Sequence, residues 1–182
     1  MEKLLNHIAQ SLQAIDAQDP QHRNFLPGIG PIGEPQLVRR IRDYFIENFN
    51  DIYPNAQTHR TPDFLIPEMW AIEFKIVRPF GNNGGHAENW SENLIHPFRG
   101  NQSSIGDIYR LQDFNMNIRK GIIVITYEHN EPRIDLSPLF ESFDLITRQV
   151  CHFNLSNRHQ VTIENLIHPV HQRAIIYGWE IL

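Results

Sequence analysis

The sequence predicts an α/β or α+β fold in which helices flank a small mixed sheet. Helical and strand-like segments alternate along most of the chain, and two neighbouring apolar runs have the spacing of a hairpin. A later run, 121–127, is apolar almost throughout. A strand that is apolar on both faces is typical of a sheet covered by helices on either side. These three observations favour a layered fold over an all-helical or all-strand one.

Two helical patterns occupy the first third of the chain. Residues 3–16 carry apolar side chains at helical spacing, which predicts an amphipathic helix. Residues 20–34 are rich in proline and glycine and are interpreted as an irregular connector. A second helix is predicted to start near Glu34. Pro35 is acceptable in its first turn, because the N–H that proline lacks would have no helical partner there.

The remaining elements follow from apolar runs and their boundaries. Residues 63–66 and 69–78 are predicted strands joined by a tight reversal. Residues 79–102 form a long loop rich in Gly, Asn and His, and loops of this length are usually functional or disordered. The predicted order ends with a helix over 103–116 that has Ser103 or Ser104 as N-cap, a strand over 121–127, a helix near 138–147 and a strand over 173–182.

The composition is that of a soluble globular chain. Its 182 residues are 41% hydrophobic and 20% charged, which is enough for one domain with a core and too few for two comfortable ones. No run approaches membrane-spanning length, and polar residues interrupt the N-terminus too early for a signal peptide. The single cysteine, Cys151, excludes an internal disulfide framework and a multi-cysteine zinc site. We therefore expect a cytoplasmic protein.

The charged residues are unevenly chosen. The formal net charge of −5 argues against a general nucleic-acid coat protein, yet 13 arginines stand against three lysines. Arginine is the better bidentate ligand for phosphate, so local phosphate binding stays open. The group Arg39, Arg40 and Arg42 fits either a basic patch or the solvated face of a helix.

One of the three lysines, Lys75, lies in the middle of the most apolar strand-like run. Side chains alternate faces along a strand, so Glu73 and Lys75 share one face while Trp70, Ile72 and Phe74 share the other. Two opposite charges in an otherwise apolar strand are costly unless they face a polar site. The sequence therefore places a candidate functional site on this strand.

A second acid lies upstream, in the sequence Pro62-Asp63, with nine residues between Asp63 and Glu73. If the reversal between the strands is a three-residue loop, 67–69, Asp63 pairs directly across from Glu73 and both carboxylates point to the same face. A two-residue loop would pair Asp63 with Ile72 and separate them. Two hard oxygen ligands fit Mg²⁺, which keeps several waters. A neighbouring lysine then stabilises charge on a phosphate or polarises an attacking water.

These residues resemble the signature of the PD-(D/E)XK nuclease superfamily, which has the restriction-endonuclease-like fold. Pro62-Asp63 and Glu73-Phe74-Lys75 match the motif, and the helix–hairpin–helix–strand order matches the core. The resemblance covers about residues 34–127. It implies a single nuclease-like domain over 1–182, in which an N-terminal helix and a C-terminal helix and strand are additions to that core.

The resemblance also implies a function and its residues. Asp63 and Glu73 become metal ligands and Lys75 the catalytic lysine of a Mg²⁺-dependent DNA endonuclease, with Mn²⁺ as a possible substitute. The resemblance implies a type II restriction or defence nuclease from a prokaryote, and cutting both strands would need a homodimer. Many members use a further glutamate on the helix before the hairpin. Glu34 is the candidate, although it also fits an acid favoured by the helix dipole.

Several other residues are candidates for DNA contact near this site. We predict Arg78, His86, Arg99 and Ser104. Asp107 and Arg110 lie one turn apart on the predicted helix and are interpreted as an intrahelical ion pair.

The ten histidines form no HExxH pattern, and surface or loop positions are the simpler interpretation for most of them. Two alternatives to the enzyme remain open: a non-catalytic module of the same fold that binds nucleic acid or protein, and an interaction protein with a chance motif.

Overall fold

A six-stranded mixed sheet with helices on both faces forms the centre of the molecule. The computed structural model describes residues 1–18, 21–97 and 102–182. The helices are α1 (Glu2–Asp16), α2 (Glu34–Asn48), α3 (Glu92–Ile95), α4 (Ser104–Asp113) and α5 (Ser137–Leu145), which continues as a π-helical turn, Ile146–Val150. The strands are β1 (Gln57–Thr58), β2 (Phe64–Ile66), β3 (Trp70–Val77), β4 (Arg119–Glu128), β5 (His159–Ile163) and β6 (Arg173–Ile181). The predicted fold class is therefore confirmed.

The strand order across the sheet is β1-β2-β3-β4-β6-β5. β2 and β3 form an antiparallel hairpin, whereas β3 and β4 are parallel and are connected through α3 and α4. Parallel neighbours need such a crossover because a tight turn cannot return the chain to the same end of the sheet. β6 pairs antiparallel with both β4 and β5, so β3 and β4 lie near the middle.

The two faces of the sheet bury separate apolar clusters. Trp70, Ile72, Phe74 and Ile76 of β3 pack with α1 and α2, as the period-two pattern predicted. Ala71 and Val77 face the other side, which α4 and α5 cover. Glu73 and Lys75 belong to that second face by the same alternation. The sheet thus directs both charged side chains toward α4.

Several elements differ from the sequence prediction. β1 and β5 were not predicted. β1 has only two residues and β5 is a half-exposed edge strand, so neither carries a strong apolar pattern. The predicted loop 79–102 contains α3, which is anchored by the buried side chain of Leu94. Ser103 is the N-cap of α4, and its hydroxyl accepts a hydrogen bond from the N–H of Gly106 at 3.2 Å.

The connector before α2 is fixed by side chains from distant parts of the chain. The carboxylate of Asp16 accepts hydrogen bonds from the N–H groups of Ile29 and Ile167, at 2.9 and 2.8 Å. The Arg78 guanidinium donates to the carbonyl oxygens of Gly30 and Ile32, at 2.7 and 2.6 Å. These bonds satisfy backbone groups that would otherwise be unpaired inside the protein, and they fix the point at which α2 begins.

A buried histidine packs against the same connector. The His171 ring stacks on His168 with 4.8 Å between ring centroids, and its Nε2 lies 3.0 Å from the Phe80 carbonyl oxygen. A Cβ on Gly30 would come within 2.4 Å of the His171 side chain, so only glycine fits there. Burial lowers the pKa of His171 to about 4.

We expect acid to destabilise the fold through His171. The folded state favours the neutral ring, so stability is full above the ordinary pKa of about 6.5 and is lost as the pH falls toward 4, by about 3 kcal/mol. Urea unfolding between pH 7 and pH 4 should therefore show a smaller loss for His171→Gln than for the wild type. The exposed His152, changed to Asn, is the matched control. Parallel pH curves for wild type and His171→Gln would contradict the prediction.

Candidate active site

The site lies where β3 continues beyond the end of its partner β2. The last residue pair of the hairpin at this end is Phe64 with Ile72, so the following N–H groups of β3 have no β2 partner. Two carboxylates accept hydrogen bonds from these N–H groups instead. Asp63 Oδ2 accepts from the N–H of Phe74 and Glu34 Oε2 accepts from the N–H of Ile76, each at 2.9 Å. The open strand edge therefore fixes two acids in line.

The hairpin register sets the relation between Asp63 and Glu73. β2 and β3 pair Phe64 with Ile72 and Ile66 with Trp70, which leaves a three-residue loop, 67–69. Extending this register by one residue places Asp63 opposite Glu73. This is the register that the sequence analysis required for two converging carboxylates.

Glu73 is buried, with 3% of its surface exposed, and its Oε1 atom has no hydrogen-bond partner. Burial is the largest cause that raises its pKa above the ordinary range, followed by the charge of Asp63 and a side-chain hydrogen bond with it. Arg110 and Lys75 oppose this rise. Two carboxyl groups this close favour one shared proton unless a cation neutralises them.

Glu34 stands next to this pair at the N-terminus of α2. Burial raises its pKa, the charge of Lys75 lowers it, and the charge of Asp63 raises it further. Leu37, Val38 and Ile41 are buried, so Glu34 does lie on the inward face of α2 as predicted. Its two oxygens are engaged by the N–H of Ile76 and by Lys75.

Lys75 lies between acids from two helices. Its Nζ atom is 3.3 Å from Asp107 Oδ2 on α4 and 3.7 Å from Glu34 Oε1 on α2. Asp107 is 1% exposed and also pairs with Arg110. The predicted intrahelical pair is therefore present, but Asp107 has Lys75 as a second partner that was not predicted. The Lys75 side chain is 13% exposed. Its ammonium group is therefore oriented from both sides, and its charge acts on Glu73, where it lowers the pKa of the carboxyl group.

Sequence reasoning missed the contact between Asp107 and Lys75. A signal was present, because Asp107 lies one turn before Leu111, on the side of α4 that faces the sheet. An acid at an inward position of an amphipathic helix needs a cation or donors, and β3 supplies the cation.

The donor set is compatible with a small hard cation. Asp63 and Glu73 offer carboxylate oxygens, and Glu73 Oε1 is a buried acceptor without a partner. Within residues 1–18, 21–97 and 102–182, no group of three or more His, Cys, Asp or Glu side chains is arranged to hold a metal ion. Glu34 is thus not grouped with the pair as a third ligand. Mg²⁺ commonly binds through one or two carboxylates and retains waters, so the two-carboxylate set fits it.

The structure places the predicted DNA-contact residues in different environments. Arg78 uses its guanidinium internally, on two backbone carbonyls and over the Tyr127 ring at 5.4 Å. Ser104 is fully buried in the first turn of α4, which removes it from a phosphate-accessible surface. Both positions differ from the surface roles that the sequence analysis assigned. His86 is exposed and packs beside Phe80, and Arg99 lies outside the described residues.

Three comparisons with known proteins found no match. The chain matches no family model, no curated protein and no solved structure. In the described part of the chain, none of the helices has the length and apolar character needed to cross a bilayer.

Proposed function

We propose that this protein is a Mg²⁺-dependent nuclease that hydrolyses phosphodiester bonds of DNA at Asp63, Glu73 and Lys75. The convergence of two carboxylates on the open edge of β3, with a lysine two residues further along the same face, carries the proposal. This arrangement combines hard oxygen ligands for a divalent ion with a fixed positive charge, and phosphodiester hydrolysis needs both.

The residues divide the work by their chemistry. Asp63 and Glu73 would hold the metal ion, which would supply positive charge to the phosphoryl oxygens and to water. Lys75 donates hydrogen bonds to the scissile phosphate or to the attacking water. Asp107 and Glu34 position the Lys75 ammonium group, because each lies within 4 Å of Nζ. A preoriented charge needs no reorganisation during the reaction.

The topology supports the resemblance to the PD-(D/E)XK superfamily. Helix α2, the β2–β3 hairpin, the crossover through α4 and the parallel strand β4 follow one another in the order that the resemblance implies. Glu73 and Lys75 lie on β3 of this unit, and Asp63 immediately precedes β2.

The raised pKa of Glu73 favours an enzyme over a passive binding module. A buried carboxyl beside another acid costs stability, and such a cost is typically retained where function needs the group. Strongly perturbed pKa values also cluster at functional sites. We propose a cytoplasmic homodimer as the active form, since one site cuts one strand.

A cleavage assay with matched variants tests the function. Purified protein is incubated with plasmid, single-stranded DNA and RNA in Mg²⁺, Mn²⁺ or EDTA. We expect metal-dependent DNA cleavage by the wild type and by Asp51→Asn, an exposed control, and none by Asp63→Asn, because a carboxamide is a poor ligand for Mg²⁺. Calorimetry should show weak divalent-ion binding that Asp63→Asn removes.

Two results would reject this function. The first is equal divalent-ion binding by the wild type and a protein that carries both Asp63→Asn and Glu73→Gln. The second is the absence of metal-dependent cleavage of all three polymers.

A further inference from the structure

A groove of about 340 Å³ opens beside Asp63, between the first turns of α2 and the chain that joins β1 to β2. Arg39 lines it from α2, and Thr58, His59, Arg60 and Asp63 line it from the other side. Pockets that bind small ligands are typically about 300–1,000 Å³, so this groove has room for a ligand of limited size. It was not predicted from the sequence.

Two arginines give the groove its charge. Arg39 and Arg60 are exposed, and neither guanidinium has an ion-pair or hydrogen-bond partner among the residues that the structure describes. Arg42, on the same helix, instead pairs with Asp43 at 2.6 Å. The protein has a formal net charge of −5, so two unpaired cations in one groove are a local departure from its overall charge. Such a groove favours an anionic ligand.

The groove leads directly to the candidate active site. Asp63 belongs to both, since its carboxylate meets β3 at the N–H of Phe74 and it also lines the groove. An anion that approaches the Asp63–Glu73 pair meets negative charge. Arg39 on α2 and Arg60 on the β1–β2 connection line the groove beside Asp63, and their positive charges offset this repulsion.

We propose that this groove binds the phosphodiester backbone of a nucleic-acid strand through Arg39 and Arg60 and thereby directs the strand to Asp63. The inference rests on the nuclease function proposed above and adds a recognised group, the backbone phosphate. A guanidinium donates two parallel hydrogen bonds to phosphate oxygens, and unpaired arginines supply them without breaking an internal contact. Recognition of this kind is independent of base sequence.

Equilibrium binding in EDTA tests the groove separately from cleavage. Fluorescence anisotropy would follow labelled DNA and RNA strands of the same sequence over a range of salt concentrations. We expect Arg39→Gln and Arg60→Gln each to weaken binding about tenfold and to reduce the slope of log K against log salt by about 0.7, as for one lost phosphate contact on a single strand. Arg42→Gln, which removes the same charge from the same helix, should bind as the wild type does.

Conservative variants separate geometry from charge. Arg39→Lys and Arg60→Lys retain the charge and should keep the salt slope, but they should lose part of the affinity because an ammonium group lacks the planar fork of donors. All of these variants should melt at the wild-type temperature, since the guanidiniums have no internal partner. The DNA and RNA arms identify which polymer the groove holds, and the expected loss on either one supports the proposal.

Three outcomes would overturn the groove as a phosphate site: no binding of either polymer by the wild type, wild-type affinity in the Arg39→Gln/Arg60→Gln double variant, or an equal loss in Arg42→Gln. Cleavage with unaltered binding by the double variant would reject the groove and leave the nuclease standing. The expected binding losses in a protein that cleaves nothing would support the groove as a phosphate site and reject the nuclease function.

Discussion

Lys75→Met is expected to reduce cleavage by about 10²–10³-fold while DNA affinity stays close to that of the wild type. A fixed donor that stabilises developing charge typically contributes a factor of this size to the chemical step, and it contributes little to ground-state binding. The structure gives the geometric reason. Nζ lies 3.3 Å from Asp107 and 3.7 Å from Glu34, so the charge is already oriented before substrate arrives.

The same substitution has a moderate expected effect on stability. If Lys75 were the sole structural partner of the buried Glu73, its loss would cost about 3–5 kcal/mol. The lysine instead pairs with Asp107 and Glu34. Asp107 retains Arg110, and Glu34 retains the N–H of Ile76. Asp107 is 1% exposed and keeps Arg110 at Oδ1, but its Oδ2 loses the Lys75 ammonium. We therefore expect a loss of about 1–3 kcal/mol, the cost of leaving one buried polar atom unsatisfied.

Melting and cleavage measured together separate the two roles of Lys75. Lys3→Met removes the charge of an exposed lysine and serves as the control for net charge. Lys75→Arg keeps the charge in a different shape and should preserve stability better than activity. A large fall in melting temperature with unchanged cleavage would assign Lys75 to the fold alone.

The sequence predicted the site where the information is local. The period of two along β3 put Glu73 and Lys75 on one face, and the spacing to Asp63 allowed a three-residue loop. Neither inference needed to know what packs against the strand. The register is strongly specified here because a slip of one residue would remove Phe74 from the face that packs with α1 and α2 and would put Glu73 there instead.

The contacts that the sequence did not predict are long-range. Lys75 meets Asp107 only because the chain crosses the sheet through α4, and Arg78 finds its carbonyl acceptors 46 and 48 residues earlier. Local sequence patterns do not predict contacts between residues so far apart in the chain. The groove has the same origin, since Arg39 and Arg60 come together only when α2 packs beside the β1–β2 connection. Sequence alone left open whether Arg39 was solvated or functional.

Glu73→Gln is expected to abolish cleavage and to stabilise the protein. At neutral pH the wild type must either bury a second negative charge beside Asp63 or take up a proton, because burial raises the pKa of Glu73. The amide that replaces the carboxyl has no charge and can donate to Asp63 as a protonated carboxyl would. We expect a gain of about 1–3 kcal/mol at pH 8. For a chain of this size, each kcal/mol corresponds to about 2–4 °C in Tm.

The pH dependence of that gain identifies its cause. A group whose pKa is raised by folding stabilises the fold most below its unfolded value, here 4.5, and loses that contribution as the pH rises. The difference in Tm between Glu73→Gln and the wild type should therefore vanish near pH 4 and grow toward pH 8. The exposed Glu47, changed to Gln, should show no such trend.

Divalent ions should reverse the order of stability at pH 8. Mg²⁺ stabilises only a protein that binds it, by an amount that increases with its concentration relative to the Kd. The wild type should gain Tm on addition of Mg²⁺, and Glu73→Gln should not, because the variant lacks one of the two carboxylates. A fall in Tm for Glu73→Gln without metal would mean that the Glu73 carboxylate is a net partner of Lys75 and Arg110. The buried acid would then stabilise the fold, and the argument from its cost to a catalytic role would fail.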